Sequence, residues 1–569
     1  NLRERTIYTK DLTVSTFIGK ILMEENNLNS KDTQNTFLKG SAWMTFGSIA
    51  SRILGALYII PWYAWMGSYG NIANALTARS YNIYTIFILI STAGIPGAIA
   101  KQVAKYNALN EYGIGRKLFR KGLILMTVLG IVSAAIMYFA SPLLASNGSQ
   151  SDPRQVAVMR SLSYAILIIP ILSIMRGYFQ GYADMMPSAM SQFVEQFARV
   201  VWMLLTAFVI MKLQHGSYVH AVIQSNLAAA VGALFGIGLL IWFLFSRRKQ
   251  LDYLVAHSNN RLRVSTTELF GEIIAQAIPF IIIDSGITLF SLVDQYTFHP
   301  MIASLVHASS DTIEDWYALF GLNANKLIMI IVSLASAMAV TAIPLLSAAH
   351  TRGDYKSISK QIANTMDLFL FVMIPAAFGM AAISRPIYTV FYGPDLLGSN
   401  VLYLSSFTAI SLGLFTVLMA ILQGLSGNGL AIKYLVLGLI LKGILQYPMI
   451  FLFKVYGPLV ATNLGLLIIV ALSLKHLEVQ YDFNLNRTSR RLAGVTAFSV
   501  GMFLVVKLCE MGLGKFLNPD HRFNALVLVI VAVGAGVVFY GLVTLKTGLV
   551  QSVLGSKVES ILVRLHMDK

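Results

Sequence analysis

A chain of 569 residues that is 56% hydrophobic and 12% charged, with a mean hydropathy of +0.68, is excluded as a water-soluble globule. Soluble domains carry about 25% charged residues, and a single soluble core stops growing beyond roughly 250–300 residues. The lone cysteine, Cys509, excludes an intramolecular disulfide and a multi-cysteine metal site, and the net charge of +17 sits between apolar runs, where it sets membrane topology rather than binding nucleic acid.

Residues 1–40 mix charges of both signs (Arg3, Glu4, Arg5, Glu24, Glu25, Lys31, Asp32) and lack a sustained apolar core with a small-residue cleavage site. They read as a cytoplasmic leader rather than a secretory signal. A bilayer-spanning helix needs about 20 mainly apolar residues. That template finds fourteen candidates in chain order: 41–66, 78–104, 118–140, 157–179, 187–211, 218–245, 268–294, 317–348, 357–383, 400–423, 430–453, 457–476, 491–510 and 523–546. Runs this long satisfy their backbone within the bilayer only as helices, so the expected fold is an all-α polytopic membrane protein with 14 transmembrane helices.

Orientation follows from the connections. Lys105, Arg116, Lys117, Arg120 and Lys121 follow the second span, Arg247, Arg248, Lys249, Arg261 and Arg263 the sixth, and Lys475, Arg487, Arg490 and Arg491 the twelfth. The segments 67–77 and 295–316 contain no Lys or Arg, and the second carries Asp311, Glu314 and Asp315. It reads as an ordinary outer loop. With fourteen spans every basic connection falls on one side, which puts both termini in the cytoplasm.

The chain repeats itself. Gly94-Ile95-Pro96 ends the second span and Ala342-Ile343-Pro344 the eighth. Gln180-Gly181 ends the fourth and Gln423-Gly424 the tenth. Offsets of 248 and 243 residues correspond to six spans and a linker. The sequence therefore divides into a leader (1–40), an N-lobe (41–246), a polar linker (247–267), a C-lobe (268–476), and a final pair of helices with a cytoplasmic tail (477–569). Parallel repeats about an axis along the membrane normal are a transporter plan, with the site between the halves.

Charges inside spans are expensive, roughly 2.5–3.5 kcal/mol each on insertion scales, and need a partner or water. Arg52 and Lys326 lie deepest and read as cavity residues. Arg79 lies 17 residues before Pro96 and Lys326 lies 18 before Pro344, so the two are expected to approach each other across a cleft, although Arg79 also suits a boundary anchor. Lys442 lines the cavity or neutralises a carboxylate. Arg199 either faces cargo or pairs with Glu195 four residues earlier. Arg176 and Lys433 suit snorkelling to headgroups. Among the acids, Asp284, Asp294 and Asp367 could bind a coupling cation or counter the buried cations. Cations around a wet cleft suit an anionic cargo, phosphate above all. No P-loop, no metal-ligand spacing among the nine histidines and no large polar loop rich in acids appears, so neither an enzyme nor a cofactor is expected.

Gly47-Ser48-Ile49-Ala50-Ser51-Arg52-Ile53-Leu54-Gly55 resembles the opening motif of lipid II flippases of the MurJ type, in the multidrug/oligosaccharidyl-lipid/polysaccharide (MOP) exporter superfamily. Ser91-Thr92-Ala93-Gly94-Ile95-Pro96 is similar to that branch's second span. Arg176-Gly177-Tyr178-Phe179-Gln180-Gly181, with Pro187, Ser191-Gln192, Glu195-Gln196 and Arg199, resembles its polysaccharide-transporter and sporulation-type members. The resemblance covers the whole chain and implies two six-helix lobes, a central cationic cavity, alternating access without ATP hydrolysis, and a groove for a polyprenyl tail at 491–510 and 523–546. It puts the essential first-span arginine at Arg52. It puts the eighth-span arginine at Lys326, which keeps charge and loses the guanidinium fork, and a second first-span arginine at Tyr58. The polar ligands of a sodium site found in some relatives are not matched, and Asp294 is its one weak candidate.

The expected function is translocation of lipid II from the inner to the outer leaflet, driven by membrane potential or a monovalent cation, with Arg52, Lys326 and Arg79 on the diphosphate. A flippase for another polyprenyl-diphosphate glycan, such as a teichoic-acid or capsule unit, fits the same cations. A cation-coupled drug antiporter would need an acidic site, and a membrane enzyme or scaffold would not depend on Arg52 and Lys326.

Overall fold

The computed structural model describes residues 50–51, 53–92, 94–145, 151–182, 184–259 and 266–554. The expected leader, Arg52 and the last fifteen residues of the tail lie outside them. The described residues form helices and no β-strand.

Eleven helical stretches are long and apolar enough to cross a bilayer. Two of them, Ile53–Ala108 and Asn428–Tyr481, have 56 and 54 residues. As straight rods at 1.5 Å per residue they would reach about 80 Å, far beyond a hydrocarbon core of about 30 Å. Each turns back instead. The first turns at Gly67 (φ 59°) and the second at Lys454 (φ 51°). After the first turn, a Cβ on Gly70 would sit 2.7 Å from the Tyr63 ring, seven residues back. A further span is bent by 47° between Ala277–Asp284 and Gly286–Ala303, where Pro279 and the Ser285-Gly286 pair weaken the helix. With these resolved, the helices are consistent with fourteen spans at the expected places.

Their ends run past the expected ones. Segment 295–316 is mostly helix: Gly286–Ala303 continues through its first part, and Ser310–Ala318 opens the eighth span. Ser309 caps that helix by accepting from the Thr312 amide, and Asp311 complements the N-terminal dipole in its first turn. Hydropathy registers the apolar core of a helix and not the polar turns beyond the bilayer.

The first six spans pack chiefly on one another, as do the seventh to twelfth. Small residues bring backbones together at corresponding places. A Cβ on Gly232 of the sixth span would lie 2.5 Å from the Glu195 carbonyl oxygen, and one on Gly438 of the eleventh 2.7 Å from that of Gly465. The thirteenth span, Leu485–Leu513, packs on the ninth, Tyr355–Ala382, and Arg491 is ion-paired with Asp367. Outward faces carry exposed Phe139, Leu143, Val340 and Val537, as lipid contact requires.

Candidate functional site

The two lobes touch where Thr266–Asp284 packs on Ile95–Ala108, and meet most extensively at the end of the bundle opposite the basic connections. There the start of the second span, Gly70–Thr92, packs against Gly286–Ala303 and Ser310–Ala318 of the second lobe. The join is polar. Asn74 Nδ2 donates to Asn323 Oδ1 at 2.7 Å, and Asn323 Nδ2 donates to Asn71 Oδ1 at 3.0 Å and to Tyr388 Oη at 2.9 Å. Tyr392 Oη donates to the Asn323 carbonyl at 3.1 Å. Asn82 Nδ2 donates to Gln295 Oε1 at 3.2 Å. Arg79 and Glu314 complete it as a buried ion pair, 4% and 2% exposed.

Beneath this join lies a cavity of about 350 Å³. The first span contributes Tyr58 and Trp62, the second Asn74, Thr77 and Tyr81, the fifth Gln196 and Arg199, the sixth Ser225 and Asn226, and the eighth Asn325 and Lys326. Lys326 Nζ stands 3.7 Å from the centre of the Tyr58 ring, and the Arg199 guanidinium carbon 5.9 Å from that of Tyr81. Each cation therefore rests against an aromatic residue, with Lys326 also hydrogen-bonded to the Tyr58 side chain and Arg199 to that of Tyr81. Trp62 Nε1 is committed to Ser225 Oγ at 2.8 Å. The chemistry of the lining is cationic, aromatic and amide-rich, suited to an anionic group carrying sugars.

The structure brings together some of the sequence candidates and separates others. Lys326 and Arg199 share the cavity. Arg52 lies outside the described residues. Arg79 does not meet Lys326: it is absent from the cavity lining and is held by Glu314 in the join above. The reason is register: Thr77 and Tyr81 of the same helix line the cavity, and Arg79, two residues from each, lies about 200° of helix away. Glu195 pairs not with Arg199 but across helices with Arg176, at 2.6 Å, and Arg176 Nε donates to Ser191 Oγ at 2.8 Å. Lys442 is also away from the cavity, fully buried and paired with Asp294 at 2.7 Å. Asp284 is exposed at the bend of the seventh span.

The asparagines at 74, 226, 323 and 325 escaped the sequence reading. A signal was present, since Asn323-Ala324-Asn325-Lys326 is a polar run inside an apolar span. Leu319–Ala324 adopts π-helical turns, a distortion that often accompanies functional sites and that hydropathy does not register.

A second cavity, about 620 Å³ and almost wholly apolar, opens among the ninth, thirteenth and fourteenth spans. Phe371, Gly379 and Ile383 line one wall, Met502 and Val506 another, and Val529, Val533, Gly536 and Gly541 the third. Tyr540 lines it too and donates from its hydroxyl to the Phe371 carbonyl at 3.1 Å.

Comparison with known proteins agrees with this architecture. A polysaccharide biosynthesis protein family matches residues 37–350. The lipid II flippase MurJ of Bacillus subtilis (strain 168) is 34% identical over 537 residues, 91% of this chain and 97% of that protein. Among solved structures, the inward closed conformation of a lipid II flippase MurJ superposes with a TM-score of 0.58 at 13% identity, covering 89% of this chain and 99% of the other. An inward-facing multidrug resistance MATE transporter of the MOP superfamily gives 0.59 at 14%, covering 78% and 95%. Matched over more than half its length by the family and along nearly all of a MurJ protein, the chain belongs to the polysaccharide biosynthesis protein family and, within it, with the lipid II flippase MurJ proteins.

Proposed function

We propose that the protein is a lipid II flippase, a transporter and not an enzyme, which moves the lipid-linked disaccharide-pentapeptide from the inner to the outer leaflet of the cell membrane. The observation that carries this reading is the interlobe cavity with Lys326 and Arg199 on its wall. Two cations in a low-dielectric cavity offset the desolvation of a diphosphate, and charge-assisted hydrogen bonds hold its oxygens. The aromatic and amide lining suits the sugars. Arg52 joins the two cations in this reading.

The prenyl tail stays in lipid, lying in the 620 Å³ apolar groove, so only the headgroup is carried through the protein. The basic connections face the cytoplasm, as do both termini. Cargo then enters from the basic end, and the Asn74–Asn323 join closes the outer side until the lobes rock. The 350 Å³ cavity is smaller than a disaccharide-pentapeptide, so loading requires the lobes to part.

The test is a leaflet-accessibility assay for lipid II in cells in which this protein is the sole flippase. Depletion is expected to trap lipid II inside and halt wall synthesis. Normal wall synthesis without inner-leaflet accumulation would transfer the assignment to another polyprenyl-diphosphate glycan, which makes the same demand on the cavity.

A further inference from the structure

A short helix, Ser384–Tyr392, links the ninth span to the tenth on the outer side of the second lobe. It packs on the fourteenth span, on the tenth, and on the outer half of the first span in the opposite lobe. Arg385 Nη2 donates to Asp520 Oδ1, in the connection between the last two spans, at 3.0 Å. The Tyr392 ring meets that of Tyr63 edge-on at 5.1 Å.

Two adjoining stripes of this helix face different structures. Ile383, at its head, and Ile387, one turn on, line the apolar groove among the ninth, thirteenth and fourteenth spans, where Ile383 packs with Met502, Val506 and Ala532. Tyr388 and Tyr392, the next pair spaced one turn apart, reach Asn323, through which the lobes join. Asn323 Nδ2 donates to Tyr388 Oη at 2.9 Å, and the Asn323 carbonyl accepts from Tyr392 Oη at 3.1 Å. All three residues are buried. The packing behind Tyr388 has no slack, since a Cβ on Gly398 of the tenth span would overlap its ring. A close-packed interior transmits strain rather than absorbing it. A helix with one stripe in the groove wall and the next on the gate residue therefore passes a displacement of the wall to the gate.

We propose that helix Ser384–Tyr392 couples the groove to the outer join: an apolar prenyl chain entering the groove shifts Ile383 and Ile387, draws Tyr388 and Tyr392 away from Asn323, and loosens the contact between Asn74 and Asn323. The inference rests on the reading of the groove as the seat of the cargo's tail. The outer side then opens for a loaded transporter more readily than for an empty one. The tail loosens the join only by as much as it binds the loosened state better. Such coupling is reciprocal, so loosening the join by mutation must tighten the groove's hold on the tail.

The experiment uses the full chain, purified into phosphatidylcholine nanodiscs, with undecaprenol as probe, a prenyl chain that ends in a plain hydroxyl. In a Cys509→Ser background, nitroxide labels on Ser68→Cys and Ser304→Cys, exposed positions in the outer connections of the two lobes, report the outer opening as a distance distribution by pulsed electron paramagnetic resonance. Binding of tritiated undecaprenol is measured on the same samples. Undecaprenol is expected to raise the long-distance population several-fold. Ile383→Ala/Ile387→Ala should still bind it and lose that response. Tyr388→Phe/Tyr392→Phe keeps both rings and removes only the hydroxyls. It should show the long-distance population without the probe and bind undecaprenol several-fold more tightly than its parent. Should the isoleucine variant fail to fold, the tyrosine variant decides alone.

Undecaprenol binding that Gly541→Leu weakens, with no change in the label distances, would overturn the coupling and leave the tail groove standing. Binding untouched by Gly541→Leu would remove the groove reading and the coupling with it. A tyrosine variant with unchanged distances would overturn the coupling. So would one whose outer side opens with no gain in undecaprenol affinity, because a purely structural hold on Asn323 predicts that result.

Discussion

Lys326 stands 3.7 Å from the centre of the Tyr58 ring and lines the cavity. Lys326→Ala should cut lipid II translocation by roughly ten- to a hundredfold, the equivalent of one lost charge-assisted hydrogen bond at about 1.5–3 kcal/mol. Lys326→Arg should retain most of it, and both variants should keep the wild-type melting temperature. Arg79 belongs to a different experiment. Glu314→Gln would strand its buried guanidinium and cost about 3–5 kcal/mol, whereas Arg79→Met/Glu314→Met should recover most of that loss. Thermal unfolding of the purified variants checks both. The sequence shows that these residues are charged and lie in apolar spans, which is enough to mark them as special. It does not show the partner, because partners lie on other helices. Glu195 has Arg199 one turn away and nonetheless pairs with Arg176 of the fourth span. Glu314 reads as an outer-loop acid until the helix beneath it is seen to extend.

At the scale of elements, hydropathy carries most of the information, since each span must present about twenty apolar residues to lipid whatever its neighbours do. It fails where a helix is interrupted without changing composition, as at the bend of the seventh span and the π-turns of Leu319–Ala324. Gly286 shows what the bend requires. A Cβ there would stand 2.5 Å from the Phe415 ring and 3.1 Å from Leu435, so Gly286→Val should destabilise the second lobe by about 1–3 kcal/mol and lower the yield of folded protein. Gly541 is the contrasting case. It lines the apolar groove, and a Cβ there meets nothing within 4 Å. Gly541→Leu should therefore melt like wild type while narrowing the groove. If the groove carries the prenyl tail, translocation falls several-fold; unchanged translocation would place the tail elsewhere.

The duplication is written in the sequence by the Gly-Ile-Pro and Ala-Ile-Pro span ends, but it becomes a mechanical statement only when the halves are seen to meet. Asn74 and Asn323, one from each half and within one residue of the 248-residue repeat offset, are hydrogen-bonded to each other. Near-equivalent residues in contact lie close to the axis that relates the lobes, because only points near the axis map onto their own neighbourhood. Rotation about that axis leaves such a pair close together. Rocking that opens the outer side must break it. The two motions are separable by crosslinking. In a Cys509→Ser background, Asn74→Cys/Asn323→Cys bridged by a short reducible thiol crosslinker should block lipid II transfer and recover it on reduction, while either single cysteine variant treated alike should remain active. Transfer that survives a complete crosslink would mean that the join at Asn74 and Asn323 never opens, and that cargo leaves sideways through the lipid-facing wall.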